Sequence, residues 1–216
     1  MTQQDFTLPD HQAELLEGFP ADPHKRQNSS HVGNNTNPKH FTRWDERYVK
    51  LAGHIASWSK DTAQVGCVIV NPTLRRVVAF SFNGFPANIP DHVSLLQQRE
   101  NKKKKLAQII HAEQNTLLYA GREARGCHAY VVGRPVCNSC AILLIQAGIE
   151  RVVAAPPLPI PEKPDDEWVE RGRLALTLFN KAGVGFSPIA QKLLDEVFED
   201  YNLDRPTAVE SAPVCC

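Results

Sequence analysis

Two short motifs in this 216-residue chain carry side chains able to do chemistry together: His111-Ala112-Glu113 and Cys137-Asn138-Ser139-Cys140. Two thiolates three residues apart at the start of a helix share one face, so both can reach a single ion. An imidazole from another helix supplies a third ligand. Three protein ligands leave the fourth tetrahedral position to water, the arrangement of a catalytic rather than a structural Zn2+. The metal lowers the pKa of that water toward ~7, which makes hydroxide available at neutral pH. Glu113 lies two residues from His111, close enough to lean over the same ion without binding it. Its carboxylate can take the proton from the water and pass it on. A closed structural site would need a fourth ligand. The nearest in sequence, Cys127 and His128, precede a strand whose length carries them away from Cys137.

The elements that must position these groups are legible in the periodicity. Trp44, Tyr48, Leu51, Ile55 and Trp58 fall at three- and four-residue steps, one face of a helix, with Thr42 as its cap and Asp45 three residues on. QVGCVIV (64–70) and VVAFSF (77–82) read as two strands, antiparallel because only NPTLRR joins them. LAQIIHAEQNTLLYAGRE reads as a helix running through Leu117 and Leu118 to Gly121, with the HAE motif near its start. AYVV (129–132) is a buried strand. Cys137 to Gly148 is a helix with Gly148 as its stop signal, and ERVVAA (150–155) is the next strand. A Pro-rich break, an amphipathic helix over 165–183, a strand at 184–188 and a last helix over 190–201 follow. The order α-β-β-α-β-α-β-α-β-α predicts one sheet covered by helices on both faces. Its last two strands are expected to be parallel, because a helix lies between them.

Composition narrows the classes of partner. Lys plus Arg equals Asp plus Glu at 24 each, with an isoelectric point near 7.1. Such a chain has no global field to hold a polyanion, so no long nucleic acid is expected, although a small anion needs only a few local cations. Neither a secretory signal nor a membrane span is expected, and the cysteines read as those of a cytoplasmic protein, favouring metal or catalytic roles over disulfides. Residues 1–40 read as a polar arm without a role for His11, His24, His31 or His40, residues 41–200 as the catalytic domain, and 201–216 as a tail in which Cys215-Cys216 is inert. Cys67 and Tyr130 read as core, Trp44, Trp58 and Trp168 as core or interface, and Lys102 to Lys105 as a solvated cationic face.

The spacing H-x-E…C-x-x-C, with Pro135 shortly before the first cysteine, is close to the signature of the zinc deaminases. From about Trp44 to Phe186 the chain resembles the deoxycytidylate (dCMP) deaminases of the cytidine-deaminase-like superfamily. The residues that carry it are SKD (59–61), QVGCVIVN (64–71), FNGFP (82–86), Asp91, HAEQN (111–115), GCHAYVV (126–132), CNSCAILLIQAGIERVV (137–153) and AGVGF (182–186). The resemblance implies a three-layer α/β/α fold on a mixed five-stranded sheet, and Zn2+ held by His111, Cys137 and Cys140 with Glu113 as proton shuttle. It implies that Asn83 meets the sugar or base, that the Ala112 N–H meets the pyrimidine carbonyl, and that Ser59 and Lys60 lie at the phosphate. Arg134 would face the phosphate or close over the base. It further implies a homo-hexamer switched by dCTP and dTTP with Mg2+, through an effector site of Gly84, Asp91, Arg99 and Lys102. Three residues depart from the family pattern: Val136 is interposed between Pro135 and Cys137, Trp58 stands where an Arg is usual, and Arg134 replaces an aromatic.

The reaction expected is attack of hydroxide on C4 of dCMP, giving dUMP for thymidylate synthesis and ammonia. Two alternatives stay open. One is a deaminase of a 5-substituted cytosine nucleotide, since a methyl changes only pocket shape, worth ~1–3 kcal/mol. The other is a nucleotide-sensing protein without activity on the same fold.

Overall fold

The computed structural model describes residues 41–89, 105–158 and 167–203. Helix α1 (Arg43–Ala56) opens with the expected capping box. The Asp45 N–H donates to Thr42 Oγ1 at 3.2 Å and the Thr42 N–H donates to Asp45 Oδ2 at 2.7 Å. Its buried face centres on Tyr48, Val49, Ala52, Ile55 and Ala56. The stripe drawn through Trp44 and Trp58 is therefore rotated from the true one: Trp44 is 36% and Trp58 46% exposed, which rules out a core role for both.

Strands β1 (Gly66–Asn71) and β2 (Arg76–Phe82) are antiparallel, as their short turn requires. Helix α2 (Ala112–Ala120), strand β3 (His128–Val132), helix α3 (Asn138–Ala147), strand β4 (Arg151–Ala154), helix α4 (Glu167–Ala182), strand β5 (Gly185–Pro188) and helix α5 (Gln191–Asp200) complete the chain order. The sheet runs β2-β1-β3-β4-β5, with β1–β3 antiparallel and β3–β4 and β4–β5 parallel, as expected of the last strands.

Alternation along the strands builds two cores. Cys67, Ile69, Val131 and Val152 face one side, against Ala112 and Ala120 of α2, Ala141 and Leu144 of α3, and Ala175 and Phe179 of α4. Val68, Val70, Tyr130 and Val153 face the other, against α1 and α5. The result is a three-layer α/β/α domain in which Cys67 and Tyr130 are core residues. No helix among the described residues is long and apolar enough to cross a membrane.

One helix is shorter than its periodicity predicts. Leu106 to Ile110 do not belong to α2, because Ile110 pairs with Gly84 in an isolated antiparallel bridge, accepting and donating at 3.2 and 2.9 Å. That bridge stretches the chain, so His111 is extended (φ −69°, ψ 152°) and caps the helix instead of lying inside it.

Candidate metal and catalytic site

His111 stands at the N-cap of α2, and Cys137 at the N-cap of α3 with Cys140 in its first turn. Two helix N-termini therefore meet at the site, and their partial positive charge favours thiolates there. The approach to Cys137 is fixed by Gly133 (φ +114°) at the end of β3, where a Cβ would lie 2.0 Å from the Gln64 carbonyl oxygen. Gly148 ends α3 in the left-handed conformation (φ 85°), the predicted stop. In the middle of α2, Thr116 donates to the Ala112 carbonyl at 2.7 Å and the Cys67 carbonyl at 3.3 Å, which seats the helix on β1.

The three expected ligands come together. His111 Nδ1 lies 3.5 Å from Cys137 Sγ and 3.2 Å from Cys140 Sγ, and all three donor atoms fall within 4.8 Å of one another. Tetrahedral Zn2+ with its usual bond lengths places nitrogen and sulfur ligands ~3.6 Å apart, so this donor set fits that ion in both type and spacing. Cys137 and Cys140 are buried, as is Glu113 at 3% exposure. The described cysteines are free thiols.

The electrostatics set the two thiols apart. A hydrogen bond from Cys140, against burial and aided by His111, draws the Cys137 thiol down to about 4. Cys140, as the donor in a buried setting, is pushed up. Contact with Cys137 raises the His111 imidazole. Burial raises the Glu113 carboxyl, opposed by the neighbouring His111, and Glu113 also contacts the Cys140 thiol. A carboxyl raised toward neutrality is suited both to accept and to return a proton.

The residues expected around a substrate are placed as follows. Asn83 is buried and ties the end of β2 to the segment before β1: its Oδ1 accepts from the Val65 N–H at 2.8 Å, and its Nδ2 donates to the Ala63 carbonyl at 2.9 Å. The Ser59 hydroxyl is buried, donating to the Asn83 carbonyl at 2.8 Å and accepting from the Asp61 N–H at 3.2 Å. A phosphate contact there would have to replace one of these bonds. Lys60 is exposed. Arg134 is half-buried in the loop before Cys137 and donates to the Gly133 carbonyl at 3.0 Å. Ala112 is the first residue of α2, where backbone N–H groups lack intrahelical partners. Gly84 sits in the bridge to Ile110, and a Cβ there would meet nothing within 4 Å. Asp91, Arg99, Lys102, residues 1–40 and Cys215-Cys216 lie outside the described residues.

One finding departs from the sequence reading, and a second adds to it, since Trp168 does pack against the core. Lys105, taken as part of a solvated face, is only 10% exposed in its side chain and forms an ion pair with Asp61. Trp168, read as core or interface, brings its ring centroid to 6.0 Å from that of His111. Arg171 covers the Trp168 ring at 4.9 Å and donates to Asn138 Oδ1 at 3.3 Å, so α4 flanks the His111-Cys137-Cys140 group. A clue was present, since the parallel crossover from β4 to β5 lays α4 beside α3.

A mononuclear His-Cys-Cys centre with an adjacent buried carboxylate is the equipment of a hydrolase. Residues 42–155 match the family model of the cytidine and deoxycytidylate deaminase zinc-binding region. An uncharacterized deaminase of Aliivibrio fischeri is 33% identical over 148 residues, 67% of this chain and 92% of that protein. The human deoxycytidylate deaminase is 33% identical over 156 residues, 70% of this chain and 83% of that protein. Among solved structures, the dCMP deaminase of cyanophage S-TIM5 in complex with dCMP and dUMP superposes with a TM-score of 0.51 at 18% identity, covering 69% of this chain and all of that one. The Acinetobacter baumannii RibD structure gives 0.50 at 23% identity, covering 74% and 39% of the two chains. These two show the shared fold. The chain belongs to the cytidine and deoxycytidylate deaminase family, hydrolases that act on a C–N bond.

Proposed function

We propose that the protein deaminates dCMP to dUMP, with water as co-substrate and ammonia as the second product. The observation that carries this is Glu113, buried against a His111-Cys137-Cys140 trio spaced for one Zn2+. The 33% identity to human deoxycytidylate deaminase supports the choice of substrate. Zn2+ held by the three ligands would supply a water acidic enough to be hydroxide near neutral pH. Glu113 accepts a proton from the attacking water and gives it to ring N3 as C4 gains the oxygen, then takes the remaining hydroxyl proton and delivers it to the amine as the C4–N bond breaks and ammonia leaves. The Ala112 N–H faces the pyrimidine carbonyl and Asn83 the sugar. Lys60 and Arg134 neutralise the 5′-phosphate, while Ser59 holds the Asn83 backbone in place. The dUMP formed would supply thymidylate synthesis.

Assembly into a homo-hexamer, with dCTP and dTTP as Mg2+-dependent effectors, rests on the family resemblance. Of the effector residues only Gly84 is described. Sedimentation with and without each triphosphate reads both at once.

The deciding experiment follows ammonia release from dCMP, CMP, dCTP, deoxycytidine and 5-substituted dCMP by the zinc-loaded protein. The expected result is turnover of dCMP well above the others. Preference for a 5-substituted nucleotide would replace the substrate but keep the chemistry. No turnover of any compound by fully zinc-loaded protein would leave a nucleotide-sensing role and overturn the proposal.

A further inference from the structure

Asp61 is buried, with only 3% of its side chain exposed, and a carboxylate at such a depth needs a compensating charge. Lys105 supplies it, reaching Asp61 Oδ1 across 44 positions of sequence and lying 3.4 Å from Thr62 Oγ1. The same Oδ1 accepts from the Ala63 N–H at 2.9 Å, which turns Oδ2 toward Asn83 Nδ2, 3.4 Å away. An asparagine carboxamide offers two N–H donors and two acceptor lone pairs. One Asn83 donor is well held by Ala63 and one lone pair by Val65. The second polar contact of Asn83 Nδ2 is the longer bond to Asp61, at 3.4 Å, which is the weakest of its bonds and the one a ligand oxygen would displace.

The direction of this coupling follows from charge. With Lys105 in place, Oδ1 is neutralised and Oδ2 draws weakly on Asn83. Without Lys105, a buried uncompensated carboxylate would recruit the nearest donor, and that donor is the Asn83 N–H. Asn83 also leads directly into the Gly84–Ile110 bridge that delivers His111 to the metal site, so its orientation is defined relative to the reacting atoms. We infer that Lys105 is a positioning residue for nucleotide binding: by holding Asp61, it keeps the Asp61–Asn83 bond long enough to be exchanged for one to the substrate sugar.

This inference rests on the proposed contact between Asn83 and dCMP, and a double-mutant cycle separates the two. Asn83→Ala, Lys105→Met, Lys105→Arg and the Asn83→Ala/Lys105→Met double variant are compared for kcat, KM for dCMP, zinc per chain and thermal midpoint. Lys105→Met should raise KM about tenfold, the value of one typical hydrogen bond, with kcat within about threefold and zinc unchanged. Lys105→Arg should restore most of the affinity. In the Asn83→Ala background, Lys105→Met should add no further rise, because its effect passes through the missing carboxamide. An Asn83→Ala KM equal to that of the unaltered protein would refute the Asn83 contact itself. A raised KM for Asn83→Ala beside an unchanged KM for Lys105→Met, or additive effects in the double variant, would refute the role of Lys105 alone. If Lys105→Met does not fold, Lys105→Gln carries the same comparison, since its amide can donate to Asp61 without the charge.

Discussion

At the scale of single residues, the proposed chemistry places its heaviest demand on Glu113. The side chain is buried beside Cys140, burial raises its carboxyl, and His111 opposes the rise. Glu113→Gln keeps the volume and one acceptor but cannot take a proton. We expect kcat to fall by ~10²–10⁴, the usual contribution of a positioned proton shuttle, with zinc per chain unchanged. Steady-state kinetics with metal analysis checks this. Retained turnover would mean that another group moves the protons. The motif residues were legible because their types restrict the chemistry, whatever surrounds them. Lys105 and Trp168 were not, since a lysine in a basic run and a tryptophan on a helix face look alike whether they meet solvent or a site.

At the scale of elements, two local devices set the geometry. The Thr42–Asp45 capping box starts α1, which packs on the face of the sheet opposite α2 and α3. Thr42→Ala should cost about 1 kcal/mol in urea denaturation and leave KM for dCMP as it was. A KM change would tie that helix end to the site. Gly133 is a different case, because it combines a left-handed φ with a Cβ position that overlaps the Gln64 carbonyl. Gly133→Ala should destabilise the fold by roughly 2–3 kcal/mol or more and displace the loop that delivers Cys137. Competition with a chromophoric chelator should then show weaker zinc binding. Unchanged affinity in a folded variant would show that the loop tolerates the shift. The strands and α3 were readable from periodicity and stop signals. The start of α2 was not, because apolar spacing continues through Ile109 and Ile110 while a long-range bridge to Gly84 interrupts the helix.

At the scale of the whole molecule, the sheet is tied to α1 by a buried cluster of charges. Arg151 of β4 donates to Asp45 Oδ1 at 2.8 Å and to Ser187 of β5 at 2.9 Å, and the Tyr130 hydroxyl donates to Asp45 at 2.7 Å. Burial alone would raise the Asp45 carboxyl, but the bonds from Tyr130, Arg151 and Thr42 outweigh it and hold the carboxyl below its ordinary 3.8. A pKa lowered by folding contributes stability above the unfolded value and loses it as pH falls through the folded one. Asp45→Asn should therefore cost roughly 3–5 kcal/mol at neutral pH, by leaving Arg151 buried without its counter-charge. The gap from the unaltered protein should close below pH 3.8, read from urea midpoints between pH 7 and 3. His128 adds a second window. Burial first, then Arg151, pushes its imidazole down to about 4, so the stability it contributes is present above pH 6.5 and drains away toward pH 4.

The sequence by itself determined the His-Cys-Cys trio and the carboxylate proposed to serve it, the order of elements and the parallel sense of the last strands. Each depends on residue type or on spacing within one or two elements, where the backbone's own geometry dictates what meets what. Only the tertiary structure decided where α2 begins, that Lys105 is spent on Asp61, that the Ser59 hydroxyl is committed inside the chain, and that α4 carries Trp168 and Arg171 beside the His-Cys-Cys trio. Those outcomes depend on contacts between residues tens of positions apart, and no local pattern encodes the free energy of burying one charge beside another.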